Sequence, residues 1–214
     1  MNQQTPFERE PFPSTSEKFP PWENMGFERW WTTVKGMFVA PSDFFSRMAI
    51  SGGLGRPLIF GVIGGSVGGI IAQAYSLISS CVTNQQTGQF LIQVALIFLM
   101  PLLMILSLFL CSGTTHLLLK LVGGARYNYE TTFRVYAYLT GSLGLLGVIP
   151  FCATLLCLTW GTIVEIIGIS KAHQISIGKA IFAVLIPTLS CWGCLAAMVG
   201  SEQGLGGIIK LFLF

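Results

Sequence analysis

The reading of this chain turns on "GTTHLLLKLVGGARYNYETTFRVYAY", Gly113 to Tyr138. It gathers a histidine, a lysine, two arginines, a glutamate, a paired glycine and four tyrosines between two long apolar runs. Such a concentration of functional groups first resembles an active site, but its surroundings give it another meaning. Only 10% of the 214 residues are charged and 52% are hydrophobic, against about 25% charged in an ordinary soluble domain. Mean hydropathy is +0.70. The composition is that of a membrane protein.

A helix needs roughly 20 apolar residues to cross a hydrocarbon core of about 30 Å. Five uncharged or nearly uncharged runs approach that length: Pro57 to Ser80, Phe90 to Cys111, Val135 to Ile149, Phe151 to Val164 extended through Ile169, and Ala180 to Gly200. The third and fourth are separated only by Pro150. Read as one helix at 1.5 Å per residue they would extend about 50 Å, too long for one crossing, so Pro150 is read as a turn between two spans. The expected fold is all-α, a five-helix transmembrane bundle. The opening stretch sits in the hairpin joining spans two and three, with Gly123 and Gly124 making its turn.

Charge location sets the orientation. Eleven of the twelve lysines and arginines fall before span one, between spans two and three, or between spans four and five. This distribution predicts a cytoplasmic N-terminus and an outward C-terminus. The first 56 residues contain no apolar signal-peptide region, which agrees with an N-terminus retained inside. A bacterial inner membrane is expected rather than the endoplasmic reticulum or Golgi.

Residues 1–21 are proline-rich and poor in aliphatic side chains, and read as a flexible arm. Residues 22–56 read as short cytoplasmic helices, residues 57–200 as the membrane domain and residues 201–214 as a tail. Trp30, Trp31, Val34, Met37 and Phe38 recur at helical spacing opposite Glu28, Arg29 and Lys35. This amphipathic helix has two readings: it lies on the inner leaflet, or it docks against the bundle. Ser42 or Asp43 is expected to cap a second short helix bearing Phe44, Phe45 and Met48. In span one, Gly61, Gly64, Gly65, Gly68 and Gly69 form a flat strip that favours close helix packing, within the chain rather than across a dimer. Pro101 and Pro187 sit inside spans two and five, where a proline kinks a helix unless neighbours compensate.

Catalytic patterns fail on context. Gly64 to Gly68 matches G-x-S-x-G but lies inside a membrane helix rather than at a strand-turn-helix elbow. Ser176 to Lys179 matches S-x-x-K without companion motifs. His116 and His173 are the only histidines, and no cluster has metal-ligand spacing. The six cysteines lie in or beside apolar runs and read as packing residues, including the isolated Cys191 and Cys194 pair. No enzyme activity, cofactor, metal or nucleic-acid partner is expected.

Glu165 is the one acid inside an expected span. A charge at mid-helix costs roughly 3 kcal/mol on insertion scales, so it demands a partner or a proton. Arg134 is the preferred partner, and a proton or cation site is the alternative. Glu130 and Arg134 are spaced for an i,i+4 pair.

Beyond these readings, "HLLLKLVGGARYNYETTFRVYAY" (His116 to Tyr138), "VIP" (Val148 to Pro150), Trp160, "IIGISKAHQISIGKA" (Ile166 to Ala180) and the upstream "APSDFFSRM" (Ala40 to Met48) together resemble the Yip1-domain family, in the style of its bacterial members. The resemblance runs roughly from Val39 to Gly200. It implies a five-helix, N-in membrane protein of a family not defined by a reaction, whose eukaryotic members are associated with vesicle trafficking and membrane shaping. The acidic-leucine-tyrosine-glycine-proline motif of those members is absent before span one, and the N-terminal arm carries no cysteine-rich zinc ribbon. Rab-GTPase binding is therefore not carried over.

The expected function is a non-enzymatic membrane organiser or scaffold. Its candidate cytoplasmic binding groups are His116, Lys120, Arg126, Glu130, Arg134, Glu165, Lys171, His173 and Lys179. Anionic lipid headgroups are the expected partners, with a second copy or another membrane protein also open. The alternative is a small transporter or channel using the proline-bearing spans two and five with Glu165.

Overall fold

The structure is a computed structural model that describes residues 19–82, 87–149 and 156–203, with side chains for residues 19–78, 90–149 and 156–190. It is all-α, with no strand among the described residues. After a 3₁₀ turn at Pro21–Asn24 come α1 (Phe27–Val39), α2 (Pro41–Arg47), α3 (Gly55–Val82), α4 (Thr87–Leu121) and α5 (Tyr129–Leu143). A 3₁₀ segment at Gly144–Val148 extends α5. A π-helical turn at Cys157–Gly161 leads into α6 (Thr162–His173), and α7 is Ile177–Gln203.

Two helices, α3 over Gly55–Ile78 and α4 over Phe90–Leu121, are long and apolar enough to cross a membrane. Large apolar side chains on α4 point outward, among them Phe98, Leu91 and Leu102, as lipid-facing residues do. Pro101 and Pro187 both lie inside continuous helices. The expected third span is built differently. Eleven of the fifteen residues of α5 are buried, so the helix is enclosed almost all round, and Pro150, its expected terminal turn, lies outside the described residues.

The glycine strip explains how α5 is enclosed. A Cβ at Gly61 would come within 3.1 Å of the Ala137 backbone, and one at Gly64 or Gly68 would overlap the backbone of Gly141 or Gly144. The reverse side of the strip receives methionines: added Cβ atoms at Gly65 and Gly69 would meet Met104 Sδ at 3.0 Å and Met100 Sδ at 2.8 Å. The strip packs within the chain, and at Gly64 and Gly68 α3 meets Gly141 and Gly144 backbone to backbone because glycine faces glycine there.

Two turns at one end of the bundle repeat one motif. After α4, Gly124 N donates to Leu119 O at 2.7 Å and Gly123 N to Lys120 O at 3.2 Å, with Gly123 at φ 62°. After α6, Ile175 N donates to Ser170 O at 3.0 Å and Gln174 N to Lys171 O at 3.3 Å, with Gln174 at φ 53°. Both are left-handed caps that satisfy the last helical carbonyls. Ile175 Cδ1 would lie 3.3 Å from a Cβ at Gly124, so the two turns abut.

The N-terminal segment docks on the bundle. Val34 and Met37 on α1 and Phe44 and Phe45 on α2 are buried, which decides between the two readings of the amphipathic helix. Phe19 and Pro21, assigned by composition to the arm, belong to this layer: Phe19 packs edge-on against Phe44 at 5.2 Å, and Pro21 is buried. The cap expected from Ser42 or Asp43 is not formed. Ala40 occupies the cap position and Pro41 opens the helix, where its missing N–H costs nothing. Asp43 instead lies 3.7 Å from Arg47.

Candidate functional site

The polar residues of the opening stretch radiate from α5, and helical geometry sorts them. Residues four apart share a face, while residues two apart lie about 200° apart around the axis. Glu130, Arg134 and Tyr138 therefore face one way, and Thr132, Tyr136 and Thr140 nearly the opposite way.

The first face meets the N-terminal segment. Arg134 is fully buried, and its Nη1 donates to Glu23 Oε1 at 2.7 Å and to Ala49 O at 3.3 Å. Its Nη2 donates to Gly53 O at 3.2 Å and its Nε to Glu130 Oε1 at 3.2 Å. Glu130 Oε1 also accepts from Gly53 N at 2.6 Å, so the expected i,i+4 pair forms inside a larger network. The loop reaches over the guanidinium because Gly52 and Gly53 adopt φ 137° and 94°; a Cβ at Gly52 would lie 2.9 Å from Arg134 Nη2. Glu23 also accepts from Tyr138 Oη at 2.8 Å, and Arg56 Nη1 donates to its carbonyl. The expected Arg134–Glu165 pair does not form. Arg134 and the Glu165-facing Tyr136 are two residues apart, so they project from opposite sides of α5.

The second face meets α4 and α6 in two stacked relays. In the outer one, Tyr127 N donates to His173 Nδ1 at 3.4 Å, which leaves the His173 proton on Nε2 to donate to Thr132 Oγ1 at 2.8 Å. The Thr132 hydroxyl then donates to His116 Nδ1 at 2.8 Å. Burial first, and neighbouring His116 second, push the His173 imidazole down to about 4, consistent with this neutral tautomer. One helical turn further along, Tyr136 Oη donates to Glu165 Oε1 and lies 2.5 Å from Thr115 Oγ1. Both histidines are thus packing-site groups bridged by a threonine. Among the described residues no three His, Cys, Asp or Glu side chains converge as a metal site would require.

Beyond Glu165 the bundle opens into a cavity of about 480 Å³ lined by Gly68, Met104, Thr140, Leu143, Thr162 and Glu165, among others. Gly68 and Met104 lie near the middle of the apolar lengths of α3 and α4, so the cavity opens midway along the two candidate membrane helices. Glu165 is 8% exposed, and its one hydrogen bond among the described residues, from Tyr136, occupies one oxygen.

The remaining candidates form an outer set. Lys120, Arg126, Lys171 and Lys179 are exposed around the two abutting turns, and Lys179 Nζ donates to Gly123 O at 3.0 Å. No carboxylate lies within ion-pair distance of any of the four among the described residues. Arg134, Glu130, His116, His173 and Glu165, grouped with them by sequence, lie inside the bundle or at its seams.

Sequence reasoning missed Glu23, Thr115, Thr132 and the two tyrosine hydroxyls that hold the carboxylates. The available signal was the run from Tyr129 to Leu143, too polar for a lipid-exposed span yet bounded by apolar ones. Such a segment must be enclosed, and its polar groups need partners on other elements. The sequence offers only Glu23 in "PWEN" as an acid just before the docking helices.

A family model described as the Yip1 domain matches residues 35–198. No curated protein and no solved structure matches the chain.

Proposed function

This chain belongs to the Yip1 domain family of membrane proteins, and from that premise we propose that it is a non-enzymatic membrane scaffold that engages anionic lipid headgroups through one end of its bundle. That end is the cytoplasmic one in an N-in arrangement of five spans, the orientation that the distribution of lysine and arginine supports. The observation that carries the reading is the exposed set of Lys120, Arg126, Lys171 and Lys179, none in an ion pair among the described residues, held together by the contact between the two turns. Basic groups beside a membrane surface attract anionic lipid by about 1 kcal/mol each. The N-terminal layer adds amphipathic anchors of its own: Phe27 is 81% exposed, and Lys35 Nζ sits 5.3 Å from the exposed Trp31 ring.

The test is retention of phosphatidylglycerol against phosphatidylcholine by purified protein, read by native mass spectrometry. Replacing all four basic residues with glutamine should abolish the preference for the anionic lipid while leaving total lipid retention unchanged. An undiminished preference would remove the basis of the proposal.

A further inference from the structure

We infer that the cavity beneath Tyr136 is a binding site for an amphipathic amine, with Glu165 receiving the amino head and the apolar walls receiving its hydrocarbon body. This goes beyond the cytoplasmic-face reading and stands on different residues.

The argument starts from what Glu165 lacks. Its side chain is nine-tenths buried within the bundle, the setting in which an acid has a partner or a purpose. The natural partner, Arg134, is committed to Glu23 on the opposite side of α5. Tyr136 satisfies Oε1, and Oε2 has no partner among the described residues. No lysine, arginine or histidine occurs among the described residues that line the cavity. The acid is therefore aimed into a space that supplies no positive charge of its own.

The space has the form of a ligand site. Its volume of about 480 Å³ lies within the range of small-molecule pockets, roughly 300–1,000 Å³. Thr140 and Thr162 place two further hydroxyls on its wall, neither with a side-chain hydrogen bond among the described residues. These oxygens and Glu165 Oε2 are acceptors for the several N–H groups of an ammonium or primary amine. A third threonine, Thr188, spends its hydroxyl on Val184 O at 2.8 Å, and the rest of the wall is methionine, leucine, alanine, glycine and Cys157, suited to an alkyl chain. A carboxylate-bearing amphiphile is disfavoured by the same acid.

The probe is dodecylamine carrying a mid-chain diazirine, photolysed with the full-length protein in phosphatidylcholine nanodiscs and mapped by peptide mass spectrometry. Labelling of the peptides bearing Met104 and Leu143 should saturate and be competed by unlabelled dodecylamine. Glu165→Gln keeps the acceptor for Tyr136 but loses the charge, and should lower this labelling by about tenfold or more, the worth of a charge-assisted hydrogen bond. Ala72→Phe, which plugs the cavity from α3 and leaves Glu165 intact, should lower it comparably. Labelling near the lipid-facing Phe98 serves as the reference and should change in neither variant. Unsaturable cavity labelling, equal labelling by the matching dodecanoic acid probe, or undiminished labelling in Glu165→Gln overturns the proposal. Should that variant not remain monodisperse, undiminished labelling in Ala72→Phe does the same.

Discussion

Glu23 and Glu165 are both almost fully buried, 4% and 8% exposed, and each accepts a hydrogen bond from a tyrosine on α5, Tyr138 for one and Tyr136 for the other. There the likeness ends. Glu23 adds the Arg134 guanidinium at 2.7 Å and Arg56 at 3.9 Å, so its charge is matched where it is buried. Glu165 has its tyrosine and a cavity. Two residues along one helix thus separate a carboxylate that holds the fold together from one left available. Burial alone identifies neither role; what decides is whether a countercharge arrives with it.

The largest effect expected is from Glu23→Ala, which removes the buried anion of Arg134 and leaves it only the less buried Glu130 carboxylate at 3.2 Å. Removing one member of a buried pair costs about 3–5 kcal/mol, visible as a steep loss of thermal stability in detergent. A double-mutant cycle sharpens the contrast: Glu23→Gln with Arg134→Gln should be strongly non-additive, whereas Glu165→Gln with Arg134→Gln should add within about 0.5 kcal/mol. Strong coupling in the second cycle would break the comparison.

Next in size, Gly64→Ala inserts a methyl group into the Gly141 backbone contact. Overpacking of this kind costs about 1–3 kcal/mol, and Val67→Ala, on the exposed side of the same helix, is the control that should cost far less.

A smaller effect is expected from acid, acting through the outer relay. His173 is neutral in the fold with its pKa depressed from 6.5 to about 4. The unfolded chain therefore binds a proton that the folded chain refuses, and stability falls as pH drops from about 6.5 toward about 4. His173→Asn should flatten the pH profile over that window; an unchanged profile would assign the sensitivity elsewhere.

The smallest effect is expected from Glu165→Gln. Its amide still accepts from Tyr136 and brings no unmatched charge, so unfolding should shift by about 1 kcal/mol or less. A loss as large as that from Glu23→Ala would place Glu165 in the structural class.

Much of the fold was legible for local reasons. Gly123 and Gly124 read as a turn because a left-handed cap favours glycine, and the same cap built on Gln174 went unread because nothing in that residue announces it. The strip from Gly61 to Gly69 read as a packing face because spacing alone makes it flat. Arg134 with Glu130 was legible as a four-residue repeat. Glu23 was not, since it lies 111 residues from Arg134 and no local pattern ties them. The cavity was equally hidden: Pro101 and Pro187 hinted at irregular helices, but the space depends on how five segments fail to fill one another.

The sequence by itself determined that this is an all-α membrane protein of the Yip1 family, with a glycine-turned basic hairpin between its second and third apolar runs. Composition, apolar run length and turn chemistry act over a few residues and survive any particular packing. Only the tertiary structure decided which acid meets Arg134, because that depends on the rotation of α5 about its axis. Close glycine contact with α3 fixes that rotation. With the helix so fixed, Arg134 is turned toward Glu23 and Tyr136 toward Glu165.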